Sequence, residues 1–187
     1  MVSLSSIVSS TGNPRVTLDA EIRAVIEKEF QDALCASESG GPKPTVAVIL
    51  ANKDGQVLIV KERRTRTMRF PQVVAHAGEE LLACIMRAVR EEVGIVPAEI
   101  RQFCGAATLD RFPLRESQKV EKRRYYYFFA LCSGVTPVTP VSVNIVETHW
   151  AGRAAALEIL ANKKEKSYSA KAQSMIDALR SVITLGL

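Results

Sequence analysis

The chain has 187 residues, 47% of them hydrophobic, which is enough for one well-filled core and too few for two domains of ordinary size. Its longest wholly apolar run, Tyr125 to Cys132, falls far short of the ~20 residues that a helix needs to cross a bilayer, so a soluble protein with no membrane partner is expected. A net charge of +5 and a pI of about 9.1 favour phosphorylated small molecules or RNA as partners without requiring either.

Cys35, Cys84, Cys104 and Cys132 lack any Cys-x-x-Cys spacing and read as reduced core residues, which fits a cytoplasmic compartment. The residues before Asp19 are serine-rich and free of acids but hold a single arginine, so they read as a flexible tail, with a mitochondrial leader as the alternative. Leu18 to Leu34 carries Ile22, Val25, Ile26, Phe30 and Leu34 at helical intervals, with Thr17 as the candidate cap. Ala36 to Pro42, with two serines, paired glycines and a proline, reads as a linker. The expected organisation is a tail, helix and linker over residues 1–42 and one domain over 43–187.

Thr45 to Ala51 and Gln56 to Lys61 are aliphatic and β-branched runs joined by Asn52-Lys53-Asp54-Gly55, the signature of a β-hairpin. The second strand leads into a basic run, Lys61, Arg63, Arg64, Arg66 and Arg69. Beyond it, Phe70 to Ile95 predicts a turn and one acidic helix. Leu81, Leu82, Ile85, Met86, Val89 and Val93 recur as a buried stripe, whereas Arg87 and Glu91 fall on the opposite side and Glu92 at the stripe's edge. Ala88, Glu91 and Glu92 share one patch, and Arg87 lies one turn before Glu91, within pairing reach. Two adjacent carboxylates held this way suit a hard cation, Mg²⁺ or else Mn²⁺.

Gly94 and Pro97 end this helix. Ile100 to Leu109 reads as a strand, and Asp110 to Lys122 as a polar loop in which Asp110 and Glu116 are candidate carboxylates. Lys119, Lys122, Arg123 and Arg124 form a second basic group, read as solvated. Tyr125 to Cys132 reads as a central strand buried on both faces, its tyrosines better suited to packing than to stacking a base. Ser133 to Pro140 is then a loop, Val141 to Val146 a short strand, Arg153 to Leu160 a helix, Asn162 to Lys166 a charged loop, and Ala170 to Ile183 a last helix with Met175, Ile176, Leu179 and Ile183 on one side.

Within Phe70 to Ile95, Glu79, then seven residues, then Arg87, Val89, Glu91, Glu92, Gly94 and Ile95, preceded by Phe70-Pro71-Gln72, resembles the Nudix box. Val73 stands where the motif has its leading glycine, and Ala88 where it has its first helical glutamate. The resemblance implies an α/β fold, an α/β/α sandwich around a mixed β-sheet, here with an extra N-terminal helix. It also implies a Mg²⁺-dependent pyrophosphohydrolase. Such an enzyme cleaves a diphosphate in a nucleoside diphosphate linked to another group or a related polyphosphate, capped RNA among the candidates, and a homodimer is compatible with it.

Carried onto this sequence, the resemblance assigns Glu91, Glu92 and a backbone carbonyl near Gln72 to the metal, and Arg63 or Arg66 to substrate phosphates. Arg87 orients Glu91. With Ala88 unable to bind an ion or accept a proton, Glu147, placed before the Trp150 strand as in many members, is the expected base, ahead of His76. Restoring glutamate at position 88 is expected to cost the helix little. The other reading is a catalytically degenerate module on the same fold that binds RNA, a nucleotide or a protein.

Overall fold

The computed structural model describes residues 14–111, 120–133, 138–161 and 169–184. In chain order their elements are β1 (Arg15–Val16), α1 (Ala20–Glu38), β2 (Lys43–Ala51), β3 (Val57–Glu62), β4 (Met68–Arg69), β5 (Gln72–Val74), α2 (Leu81–Val93), β6 (Glu99–Arg111), β7 (Glu121–Leu131), β8 (Ile145–Ala151), α3 (Arg153–Ala161) and α4 (Ser169–Thr184). The sheet runs β1-β6-β7-β2-β3-β4, with β5 also beside β2 and β8 beside β3. β2 and β7 are parallel from Lys43↔Arg123 to Ala51↔Leu131, whereas β6 and β7 are antiparallel, so the sheet is mixed.

The centre of the sheet follows from its composition. A strand apolar at every position must be covered on both sides, and β7 is. Tyr126, Phe128 and Ala130 pack with Val46, Val48 and Leu50 against α1 and α2. Tyr125, Tyr127 and Phe129 pack with Ala47 and Ile49 against α3 and α4. The result is the α/β/α sandwich that the motif implies.

α1 is an integral part of one layer. Ile26, Phe30 and Leu34 are buried, Phe30 meets Tyr126 edge-on at 5.6 Å, and Ile22 and Val25 of the expected stripe face solvent. Its cap is Asp19 rather than Thr17. The Asp19 carboxylate accepts from the amides of Glu21 and Ile22, while Thr17 is spent on the sheet, its amide donating to the Ile100 carbonyl. The helix continues to Glu38, so the expected linker shortens to a tight turn. There a Cβ on Gly41 would sit 2.8 Å from the Ala36 carbonyl oxygen, which excludes larger residues.

In the hairpin, the Asn52 side chain accepts from the amides of Asp54 and Gln56, and Gly55 takes φ 72°. β3 meets β2 beside this turn, at Ala51↔Val57, and then runs with β8 from Val57↔Ala151 to Glu62↔Ile145. β5 pairs with β2 through Thr45↔Val74 to Ala47↔Gln72. β1, β4 and β5 went unpredicted because two or three residues carry no readable alternation.

β6 and β7 run longer than expected, pairing as far as Arg111↔Glu121, with register shifts between Ile100 and Gln102 and between Phe103 and Gly105. Asp110, Lys122, Arg123 and Arg124 therefore stand on strands. Arg123 pairs with Glu121, and Arg124 with Glu29. Val141 to Asn144, expected in a strand, forms a turn, and β8 begins at Ile145. Glu116, residues 134–137 of the 133–140 loop, the 162–166 loop and the side chain of Ile183 lie outside the described residues. Cys84 and Cys132 are buried, Cys104 is half-buried, and Cys35, on the outer side of α1, is exposed.

Because Phe30 is fully buried and Ile22 is 52% exposed, Phe30→Ala should cost about 3–5 kcal/mol in urea denaturation and Ile22→Ala less than about 1 kcal/mol.

Candidate functional site

The turn before α2 is built around Glu79. Its Oε2 accepts from the His76 amide at 2.9 Å, and its two oxygens receive Arg87 Nε at 2.7 Å and Arg87 Nη2 at 2.8 Å. Arg87 Nη2 also donates to the Val74 carbonyl at 2.8 Å, and Nη1 reaches Glu91 Oε2 at 3.3 Å. One guanidinium thus ties β5, the turn and two points of α2 together. The expected Arg87–Glu91 pair is present, but the stronger partner is Glu79, which the sequence marked only by its spacing. Burial alone would raise the Glu79 pKa. The Arg87 hydrogen bond and the His76 amide outweigh it and hold the carboxyl below its usual range. Arg87 is pushed up, chiefly by the same bond, and burial pushes up the thiol of Cys84 beside them.

The second ion pair lies one turn further along. Glu92 is buried, and Arg69 grips it as a fork, Nη1 to Oε2 and Nη2 to Oε1, both at 2.7 Å. The Gln72 amide adds a third bond, to Oε2 at 2.8 Å. Arg69 stands opposite Val60 in the β3–β4 pair, on the sheet face that α2 covers, and its Nη1 also donates to the Phe70 carbonyl. Its Nε is buried without a hydrogen-bond partner, 4.0 Å from Glu62 Oε2. Glu62 in turn accepts from Thr65 Oγ1 at 2.8 Å. Burial works against the Arg69 charge, yet Glu92, with Glu62 and Tyr125 adding, holds its pKa above the ordinary arginine value.

These contacts correct the expected chemical face of α2. The buried side includes Cys84, Ala88 and Glu92, while Leu82 and Met86 are only half-buried. The helix is rotated relative to the expected stripe, because Arg69 makes an inward Glu92 tolerable. Ala88 has no exposed surface. Of the three patch residues, only Glu91 projects into solvent, its side chain 52% exposed.

That arrangement does not fit a resident divalent ion. Magnesium takes carboxylate oxygens with free lone pairs, but three hydrogen bonds and the paired Arg69 charge already crowd the carboxylate of Glu92, position 88 offers a methyl group, and Gln72 approaches through its N–H. Among the described residues, no group of three or more His, Cys, Asp or Glu side chains could hold a metal.

Other expected site residues lie apart. Glu147 stands opposite Lys61, whose Nζ reaches its two oxygens at 3.0 and 3.1 Å, and His149 Nε2 lies 3.2 Å away. These contacts, Lys61 first, lower its pKa. Lys61 continues the alternation of Val57 and Ile59, which face α3 and α4, so Glu147 belongs to the sheet face opposite α2. The structure does not bring it together with Glu91 and Glu92. Arg63 and Arg66 are exposed around the β3–β4 turn. Arg63 Nε donates to the Val143 carbonyl at 2.7 Å, and Arg66 holds a left-handed φ of 59°. His76 is exposed, and its amide is what serves the turn.

At the other end of α2, Gly94 takes φ 70° and donates to the Arg90 carbonyl. The Glu92 carbonyl accepts from the amides of Val141 and Ser142, so the 141–144 turn supplies donors that a helix C-terminus lacks.

A family model described as NUDIX domain matches residues 41–172. An RNA pyrophosphohydrolase of Acinetobacter baylyi is 41% identical over 64 residues, 34% of this chain and 39% of that protein. An RNA pyrophosphohydrolase of Halorhodospira halophila is 40% identical over 63 residues, 34% and 35% of the two chains. The chain thus spans well under half the length of these relatives. In structure it is similar to the E. coli dihydroneopterin triphosphate pyrophosphohydrolase, with TM-score 0.57, 17% identity, and 77% and 98% of the two chains covered. A C. elegans Ap4A hydrolase gives TM-score 0.55 at 15% identity over 78% and 99%. At these identities the two structures speak for the fold.

Two outcomes follow from this geometry. Glu79 has a folded pKa below its unfolded one, so its stabilisation is present above the unfolded value, near 4.3, and is lost as pH falls through the folded value. In urea denaturation, Glu79→Gln should therefore cost about 1.5–3 kcal/mol at pH 7, the difference shrinking as the buffer is taken below about pH 4. Ala88→Glu, which sequence alone rated harmless, places a carboxylate in the interior and should cost about 3 kcal/mol or more in the same assay.

Proposed function

Because the chain belongs to the NUDIX domain family, we propose that it is a hydrolase of phosphorus anhydrides, cleaving a diphosphate linkage in a nucleotide or at the 5′ end of an RNA. The observation that carries this reading is the Glu79–Arg87 fork, which holds the exposed Glu91 carboxylate at a fixed place on α2. Glu91 accepts the proton of the attacking water, and Arg87 orients it without touching substrate. Arg63 and Arg66, exposed at the β3–β4 turn, meet phosphate charge. The substrate enters as its Mg²⁺ or Mn²⁺ complex, since polyphosphates carry such ions themselves. The names of the bacterial relatives favour RNA within this class, and a cytoplasmic location suits such a substrate.

A second reading, a binding module without turnover, is favoured by two particulars, the methyl group at position 88 and the closed Arg69–Glu92 pair.

Incubating the protein and Mg²⁺ with 5′-triphosphorylated RNA, dinucleoside polyphosphates and nucleoside diphosphate conjugates, and measuring released phosphate and pyrophosphate, separates the two. The hydrolase reading expects turnover that falls about 10²–10⁴-fold in Glu91→Gln, the usual worth of a general base, and less than about tenfold in Glu147→Gln. Equal activity in Glu91→Gln and the parent would remove Glu91 from the mechanism, with near-abolition in Glu147→Gln restoring that residue as base. Tight binding of the RNA without turnover of any substrate would establish the module.

A further inference from the structure

We propose that Arg69 serves as a built-in cation at the box, occupying Glu92 in place of a divalent metal ion, so that the free protein keeps no resident ion on this carboxylate. The geometry is that of a completed site. Two charge-assisted bonds of 2.7 Å and an amide bond of 2.8 Å reach both Glu92 oxygens, and the guanidinium supplies the positive charge that an ion would bring. The guanidinium that makes them is 4% exposed, so it neither reaches substrate nor exchanges easily for water.

Its remaining contacts show what it is arranged for. Arg69 Nε is left without a hydrogen bond, 4.0 Å from the nearest Glu62 oxygen. A buried donor goes unpaired at a cost, and here it accompanies a two-pronged grip on Glu92 and a bond to the Phe70 carbonyl. An incoming Mg²⁺ would have to break that grip and leave a buried guanidinium facing only Glu62, without its closest counter-charge. Glu91, outside the pair and half-exposed, stays accessible from solvent.

This inference concerns the free protein and is read without substrate, so absence of turnover would sink the hydrolase reading and leave it standing. Mn²⁺ binding to the full chain, followed by the electron paramagnetic resonance signal of the free ion, tests it. Arg69→Gln/Glu92→Gln removes both charges together, and its Mn²⁺ binding should match that of the parent within about twofold. Arg69→Gln alone frees Glu92 and should gain a site tighter by about tenfold or more, the scale on which ligand environments alter metal affinity, and lose it again in the double variant. Loss of parental Mn²⁺ binding in the double variant would overturn the proposal, as would a folded Arg69→Gln protein, checked by circular dichroism, that gains no site. Should Arg69→Gln fail to fold, the comparison of parent with double variant decides alone.

Discussion

A carboxylate carried into a protein interior must meet a positive charge there, because desolvating it unpaired costs several kcal/mol. Much of the local architecture follows from meeting that requirement at Glu92. The cation comes from β4, which can present Arg69 to α2 because it pairs with β3 opposite Val60. The third bond fixes Gln72, at the start of β5, and so the chain's entry to β2. The main chain of the same residue binds the 141–144 turn that leads to β8. Position 92 is thus a junction of four segments. Arg87 with Glu79 repeats the logic near the start of the helix, and Glu91, standing between these pairs in sequence, is left facing water.

The elements legible in the sequence are those whose signal is local. The hairpin was announced by Asp54-Gly55 between two aliphatic runs, and the central strand by its unbroken apolar composition. Where two local signals competed, tertiary pairing chose. Thr17 and Asp19 are both good caps, but Thr17 is drawn onto β1's partner strand, leaving the cap to Asp19. The polar, charged segments after Leu109 and before Tyr125 read as loop, yet they extend a ladder already running between β6 and β7, and ion pairs with Glu121 and Glu29 accommodate their arginines.

The site divides along the same line. The Arg87–Glu91 contact could be counted from helical spacing, whereas Arg69 and Glu92 lie 23 residues apart, joined only when β4 docks against α2. Nothing in the order of residues says that Arg69, alone in its basic run, points inward. The periodicity of α2 gave the stripe but not its rotation, since Glu92 at the stripe's edge turns inward only if a guanidinium awaits it. The side of the sheet taken by Glu147 depends on its pairing with Lys61, which a linear pattern does not record.

The shifts in β6 bear on how the molecule meets its own copies. β1 flanks this strand at Glu99 and Ile100, and beyond that point no strand among the described residues covers its outer side. A long, flat, uncovered strand offers a row of unpaired amides and carbonyls to any passing chain. Here the row is broken by two bulges, one including Gly105 at φ 113°, and exposed Arg101 and Asp110 stand near its ends. A bulge twists the strand and puts its donors out of step with a regular partner. The two bulges and the flanking charges thus make this border a poor template for a further strand.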